Sequence, residues 1–444
     1  MKKNSLLLAI MVLFALTMCF LLSCKKDIGN QNTAVITPLN NGTNVRNLIL
    51  VISDLHLGAD ARYQECNVNR TALIHFLEEV RKSPNVKELV IAGDFFDEWF
   101  VPSPIDTYQG ADQDDFVERI VSTNRLVFDA FQNIINNGKI LVTYVPGNHD
   151  LTIADLNVEK ALPGINQVRD EGTLGLGSYS PENYSEIVIE HGHRYNFFCA
   201  PDPISNQSIA PGTILPPGYF FTRIAALHLY EECFTHIDTL PVITPNSSGE
   251  TSQSNLYNYW QVWSWAINSL PIARLFNDKH IITNVNGFTD TFCVNDIVPY
   301  QVTPGGTIQV NLYDGIQDNW ETRCNYNHVN VPIPTNYAIN NASTANATDT
   351  MAYWQYFNNP SAGKRIVVFG HSHVAKLKSY SISGIKYIYA NSGAWIDHNP
   401  LSSRNMNFVI ITPQSSNPNS QTYVRVYDFQ NEIMSLMAED SLVN

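Results

Sequence analysis

The chain has 444 residues, 44% of them hydrophobic and 15% charged, with a formal net charge of -14. That length and apolar content support a large buried core and exclude a disordered or fibrous chain. The acidic balance excludes a broad basic footprint for nucleic acid, so an anionic substrate must be drawn by local cations, which bound metals would supply.

Lys2 and Lys3 precede an apolar run over residues 6–22 that ends at Leu21-Leu22-Ser23-Cys24. A basic stretch followed by an apolar one is the order of a signal peptide. The run approaches the about 20 residues of a membrane span. However, no Lys/Arg cluster strong enough to stop transfer follows it, and small Ser23 stands directly before Cys24. The segment resembles a bacterial lipoprotein signal. That resemblance implies removal of residues 1–23, lipid on Cys24, and a place in the cell envelope on the outer membrane, facing the periplasm or the surface. Lys25-Lys26-Asp27 is similar to the lysine-acidic tracts of surface-exported lipoproteins. Residues 24–45, rich in Asn, Gly and Thr, read as a flexible tether. Five further cysteines, Cys66, Cys199, Cys233, Cys293 and Cys324, are an odd number, so at least one stays free or pairs between chains. Cys293 with Cys324 is a candidate local bridge.

Beyond the tether, strand-length apolar runs each end in a cluster of Gly, Asp, His and Asn. Residues 48–52 run into Ser53-Asp54-Leu55-His56, and 89–92 into Gly93-Asp94. Residues 140–145 run into Pro146-Gly147-Asn148-His149-Asp150, 187–190 into His191-Gly192-His193, and 366–369 into Gly370-His371-Ser372-His373. Continuous apolar runs read as strands buried on both faces. Helical patterns over 69–82 and 115–136 alternate with the first three, which argues for an α/β sheet. In such sheets ligands bind beyond the carboxyl ends of strands, so all five clusters can converge on one site.

Residues 202–362 break this rhythm. They predict helices over 219–234 and 257–276, the second dense in aromatics (Tyr257, Tyr259, Trp260, Trp263, Trp265), then a polar stretch. This reads as an insertion whose aromatics are core packing or a cap over the site. Strand-like runs return at 376–380, 385–390, 408–412 and 423–427, and 431–444 reads as a tail. The expected domain is therefore 46–201 with 363–430.

Carboxylate, imidazole and amide oxygen ligands suit hard or borderline divalent metals. Asp54 with His56, and His371 with His373, place two such groups at i and i+2, on one face of a strand end. Asp94 offers two oxygens, enough to bridge two cations. Two metals about 3.5–4 Å apart can clamp a phosphoryl oxygen and ionise a water near neutral pH.

These residues resemble the calcineurin-like metallophosphoesterase superfamily, whose pattern is Asp-x-His, Gly-Asp-x-x-Asp, Gly-Asn-His-Asp, His-Gly and Gly-His-x-His in that order. Here it is Asp54-Leu55-His56, Gly93-Asp94-Phe95-Phe96-Asp97, Gly147-Asn148-His149-Asp150, His191-Gly192 and Gly370-His371-Ser372-His373. The resemblance implies two mixed β-sheets packed face to face with flanking helices, plus the insertion. It implies two divalent ions (Mn, Fe or Zn), one on Asp54, His56 and His373, the other on Asn148, His191 and His371, with Asp94 bridging. His149 would contact the phosphate, Asp150 would orient His149, and Asp97 would support the bridge. His193, in the same loop as His191, is the alternative ligand. His75 reads as structural. Asn391, in Asn391-Ser392-Gly393-Ala394-Trp395, lines the site or packs a strand end.

Ser53-Asp54-Leu55-His56-Leu57-Gly58 and Gly93-Asp94-Phe95-Phe96-Asp97-Glu98-Trp99 look closest to the branch of UDP-2,3-diacylglucosamine pyrophosphohydrolases. Export, the longer insertion, and His149 where that enzyme commonly has Arg count against the same reaction. The expected activity is hydrolysis of a phosphodiester or pyrophosphate bond in a small nucleotide, nucleotide-sugar or lipid head group. An exported phosphomonoesterase and a non-catalytic ligand-binding lipoprotein are the alternatives, and nucleic acid is not an expected partner.

Overall fold

A computed structural model describes residues 37–443 apart from 233, 234, 236 and 415–419. The apolar runs form strands in two mixed sheets. In chain order the first part of the fold is β1 (Leu48–Ile52), α1 (Arg70–Lys82), β2 (Val86–Ala92), α2 (Gln113–Thr123), α3 (Arg125–Asn137) and β3 (Leu141–Val145). Then come α4 (Asp155–Ala161), β4 (Asn166–Gln167), β5 (Ser178–Tyr179) and β6 (Ile187–Glu190). The insertion carries α5 (Pro217–Glu231) and α6 (Thr251–Ser269), and the short strands β7 (Ile281–Ile282) and β8 (Thr291–Phe292). It continues with α7 (Val294–Ile297), β9 (Tyr300–Gln301), β10 (Ile308–Gln309), α8 (Trp320–Tyr326), α9 (Thr335–Asn340) and α10 (Ala345–Ala352). The chain closes with β11 (Ile366–Phe369), β12 (Lys376–Ile382), β13 (Ile385–Asn391), β14 (Asn407–Thr412), β15 (Thr422–Gln430) and β16 (Ile433–Leu442).

One sheet has seven strands in the order β16-β15-β14-β1-β2-β3-β4, the other five in the order β12-β13-β11-β6-β5. Within them β1, β2, β3 and β4 run parallel, as do β6, β11 and β13, and the remaining pairs are antiparallel. Alternation explains why the runs are continuously apolar. Ile49, Val51, Val90, Ala92 and Val145 of the first sheet pack against Ile187, Ile189, Ile366, Val368 and Ile388 of the second. The intervening residues Leu50, Ile52, Leu89, Ile91 and Val142 turn outward into the helical layer. The expected face-to-face sandwich is therefore present, and every motif cluster stands at the carboxyl end of its strand.

Several boundaries differ from the sequence reading. The 115–136 helix is two helices, because Asn124 closes α2 and opens α3 while its side chain donates to the Gly58 and Ile120 carbonyls. Residues 433–442 of the expected tail are β16, paired along β15. Part of the expected tether is pinned: Leu39 is buried, Ser83 Oγ donates to its carbonyl, and the Asn85 amide donates to the Thr43 and Val45 carbonyls. Residues 1–36, with Cys24, lie outside the described residues, as does Cys233. Cys293 and Cys324 are both free thiols rather than a bridge, Cys293 serving as the cap of α7. Of the insertion's aromatics, Tyr259, Trp260 and Trp263 are buried as core while Trp265 is exposed. His75 is exposed on α1, 2.6 Å from Glu432. Among the described residues no helix is long and apolar enough to cross a membrane.

Phe76 of α1 holds the helical layer to the first sheet, with its ring against Trp395, Phe408 and Phe429. Phe76→Ala is expected to lower unfolding stability by about 3–5 kcal/mol, read from denaturant melts. A loss under about 1 kcal/mol, the range of a surface substitution, would contradict this packing.

Candidate metal centre

The site is built where the strand ends of the two sheets meet. The backbone folds sharply there: Asp54 (φ 55°), His56 (φ 47°), Asp94 (φ 52°), His371 (φ 67°) and His373 (φ 57°) all occupy the left-handed region. Each such non-glycine residue costs of order 1–3 kcal/mol and persists only where its surroundings over-determine it. Motif glycines admit the close approach. A Cβ on Gly147 would lie 2.2 Å from Asp94 Oδ1, and one on Gly93 would lie 2.4 Å from the His191 ring.

Asp94 is the shared element. Asp54, His56, Asp94 and His373 form one cluster, and Asp94, His191 and His371 form another, with their donor atoms within 4.8 Å of one another. His373 Nε2 lies 3.1 Å from Asp54 Oδ1, and His56 Nε2 lies 3.6 Å from Asp94 Oδ2. On the other side His191 Nε2 lies 3.1 Å from Asp94 Oδ2 and 3.1 Å from Asn148 Oδ1. The Asp94 Oδ1 atom also accepts the His149 amide at 2.8 Å. The second sheet reaches the first through His191 Nδ1, which donates to the Ala92 carbonyl at 2.8 Å and so leaves Nε2 for the cluster.

Asp97 sets the orientation of two rings. Its Oδ2 pairs with His56 Nδ1 at 2.9 Å and its Oδ1 with His149 Nδ1 at 2.8 Å, while Trp99 and Phe100 amides also donate to Oδ1. A carboxylate engaged by four donors is no ligand, although it sits with His56, Glu65 and His149 in a third group of potential donors. It acts instead as the partner that fixes the tautomers of histidines.

This corrects the role expected for Asp150. That side chain does not reach His149; it accepts the Gly147 amide at 2.6 Å and the Phe95 and Phe96 amides at 2.8 and 3.3 Å, and so braces two motif loops. His193 faces the Gly175 carbonyl at 2.9 Å and belongs to neither cluster of potential ligands, so His191 is the member of the pair that the fold brings in. Asn391 is fully buried and donates to the Gly370 carbonyl, so it packs beneath the turn rather than lining the opening.

Four residues had no role in the sequence reading. Glu65 Oε2 lies 3.3 Å from His56 Nδ1 and is 21% exposed, at the mouth with His149 and His373. Nothing in its spacing marks it; the loop after β1 brings it back. Trp99 lies over the His149 ring with centroids 5.0 Å apart, and Tyr219 of α5 meets Trp99 edge-on. Asp349 of α10 accepts from Ser372 Oγ at 3.0 Å.

Electrostatics follow from burial. Burial alone would raise the Asp54 and Asp94 pKa values, but His373 beside Asp54, and His191, His149 and His56 around Asp94, hold both below the carboxylate range. Burial opposes charge on His191, yet Asp94 raises it to about 9. His371, buried and facing His191, falls to about 3. Burial and the nearby Asp94 push Asp150 up to about 6. Among the described residues, every ion-pair partner of Asp54, Asp94 and Asp97 is a histidine. Buried anions whose ion-pair partners can themselves ligate make a donor set that fits divalent cations. A surface cavity of about 780 Å³, lined by Leu39, His75, Glu78 and Glu432, holds none of these residues, so donor chemistry locates the site.

Asp150→Ala is expected to lower unfolding stability by about 1–3 kcal/mol, since buried amides lose their acceptor. An unchanged denaturation midpoint would contradict the bracing role.

No curated protein matches the chain. Among solved structures, a single-mutant Vps29 from Entamoeba histolytica is 10% identical, with a TM-score of 0.26 over 89% of this chain and 99% of that one. A double-mutant form of the same protein gives 10% identity and a TM-score of 0.29 over the same shares. Over residues 48–213 the chain matches the model of the calcineurin-like phosphoesterase family, which implies a hydrolase acting on phosphate esters.

Proposed function

We propose that this chain hydrolyses a phosphodiester or pyrophosphate bond outside the cytoplasm, with two divalent ions at the Asp94 centre. The observation that carries the reading is Asp94 itself, common to both clusters. Asp54, His56 and His373 would hold one ion, Asn148, His191 and His371 the other, and Asp94 would bridge. When bound, such ions supply Lewis acidity and an ionised water near neutral pH. Mn, Fe and Zn all suit these ligands.

The chain's own groups do the rest. The Asp97 carboxylate holds Nδ1 of His149, so Nε2 is the nitrogen left for substrate. Burial opposes charge on His149, but Asp97 and Asp94 raise its pKa above the ordinary value, so Nε2 can hold a proton for the leaving oxygen. The tilted Trp99 ring keeps the imidazole from rotating away. Glu65 adds negative charge at the mouth, which disfavours a dianionic monoester more than a monoanionic diester. Small substrates such as a nucleotide, a nucleotide-sugar or a lipid head group fit the net charge of -14, and a nucleic acid does not. Export and membrane attachment rest on the lipoprotein-like segment and Cys24.

The test uses the soluble form starting after Cys24, supplied with Mn²⁺, on bis-p-nitrophenyl phosphate and p-nitrophenyl phosphate. The diester is the expected preferred reporter. Asp94→Ala is expected to lose metal and activity together. His149→Ala is expected to keep metal and lose about 10²–10⁴-fold in rate, the range of a positioned acid. Preference for the monoester would replace the diesterase reading with the monoesterase one, and binding of metal without cleavage of either reporter would favour a ligand-binding role.

A further inference from the structure

We propose that Asp349, an insertion residue outside all five motifs, is a positioning residue for the His371–His373 turn and, through it, for metal binding at the Asp94 centre. The inference rests on the metal reading above.

The turn after β11 needs outside support. His371 and His373 both sit at positive φ, with Ser372 between them. Its ends are held from the catalytic sheets: the His371 amide donates to Asp54, and Asn399 Nδ2 donates to the His373 carbonyl at 2.7 Å. Its middle is held from the insertion. The Ser372 side chain is buried, and its Oγ donates to Asp349 Oδ1 at 3.0 Å while accepting from Asn391 Nδ2 at 3.0 Å.

Asp349 is itself tightly placed. It stands on α10, is only 5% exposed, and every polar neighbour is a donor. Its Oδ1 accepts from Ser372, from Asn391 Nδ2 at 3.3 Å and from the Tyr389 hydroxyl, and its Oδ2 pairs with the Lys376 ammonium. One carboxylate thus ties α10 to the turn, to β12 and to β13. A neighbouring contact sets the same helix against the other histidine loop: a Cβ on Gly192, beside His191, would lie 3.3 Å from Thr348 Cγ2.

A plain ion pair at the seam of the insertion would stabilise the fold and leave metal affinity alone. A positioning role predicts more. Without the Asp349 acceptor the Ser372 hydroxyl keeps only its Asn391 contact, and two strained residues that present imidazoles to different clusters lose the insertion's hold on the turn between them.

The experiment measures Mn²⁺ binding by isothermal titration calorimetry, below the unfolding midpoint of every variant. It compares the parent with Asp349→Ala, Ser372→Ala and Trp263→Ala. Trp263 is a buried insertion residue packed on Phe198 and Tyr259. Asp349→Ala and Ser372→Ala are expected to weaken Mn²⁺ binding by about 10–100-fold, the cost of losing a partner behind the ligands, with activity recovered at saturating Mn²⁺. Trp263→Ala is expected to lower the midpoint with Mn²⁺ affinity unchanged. Parent-like affinity in folded Asp349→Ala and Ser372→Ala overturns the proposal. If Asp349→Ala does not fold, Ser372→Ala alone decides by the same criterion. A parent that binds no Mn²⁺ overturns both this proposal and the metal reading. A parent that binds Mn²⁺ but cleaves neither reporter overturns the diesterase reading only, and the affinities still decide on Asp349.

Discussion

Three carboxylates, Asp54, Asp94 and Asp97, are buried around the His56 ring, 3.9, 3.6 and 2.9 Å from its nitrogens, with histidines as their only ion-pair partners among the described residues. Burying an uncompensated carboxylate costs several kcal/mol after relaxation, and here histidines, whose own burial opposes their charge, are left to supply the compensation. The surrounding architecture answers to this constraint. Loops fold through left-handed conformations so that ligating groups point inward, and Gly93 and Gly147 stand where any side chain would collide with a neighbouring donor. The arrangement makes sense as a cradle for positive charge, with Asp94 at its middle and Asp97 behind it setting the ring orientations.

The sandwich makes this economical. Each sheet contributes parallel strands whose carboxyl ends point the same way, and a dry apolar layer between the sheets fixes their separation. Ala92 at the end of β2 accepts from His191 after β6, and Ser53 meets Ser392 at 2.6 Å, so the two sheets are joined at the site as well as below it. The insertion is part of the same structure rather than an appendage. Buried Arg223 of α5 donates to Tyr219 and Thr107 and to the carbonyls of Pro102 and Ser103, which fixes the loop carrying Trp99. Tyr219 then supports Trp99, and Trp99 supports His149.

The sequence made the sandwich legible because buried parallel strands write themselves as unbroken apolar runs, and it made the ligand cluster legible because short-range spacing survives folding. Asp-x-His and His-x-His carry their geometry in two residues. What it hid were contacts made by side chains far apart in sequence or by backbone amides. Asp150, next to His149 in the chain, gave no sign that its oxygens are taken by Gly147 and Phe95. Asp97, fifty-two positions away, is the residue that reaches the ring. Glu65 and Asp349 belong to no pattern and become visible only once the loop after β1 and helix α10 are folded onto the site. The split of the expected 115–136 helix was hidden for a related reason: Asn124 continues the helical pattern, and only its bond to Gly58 shows that it ends one helix. The tail misread as 431–444 is an edge strand whose outward side chains are polar or half exposed, so its alternation is faint.

The central claim is that Asp94 is shared by two metal ions. The most direct measurement is a crystal structure of the Mn²⁺-loaded protein with anomalous difference maps. The account predicts two peaks about 3.5–4 Å apart, one beside Asp54, His56 and His373, the other beside Asn148, His191 and His371, with an Asp94 oxygen between them. A single peak, or two peaks of which either lacks Asp94 as a ligand, would contradict it.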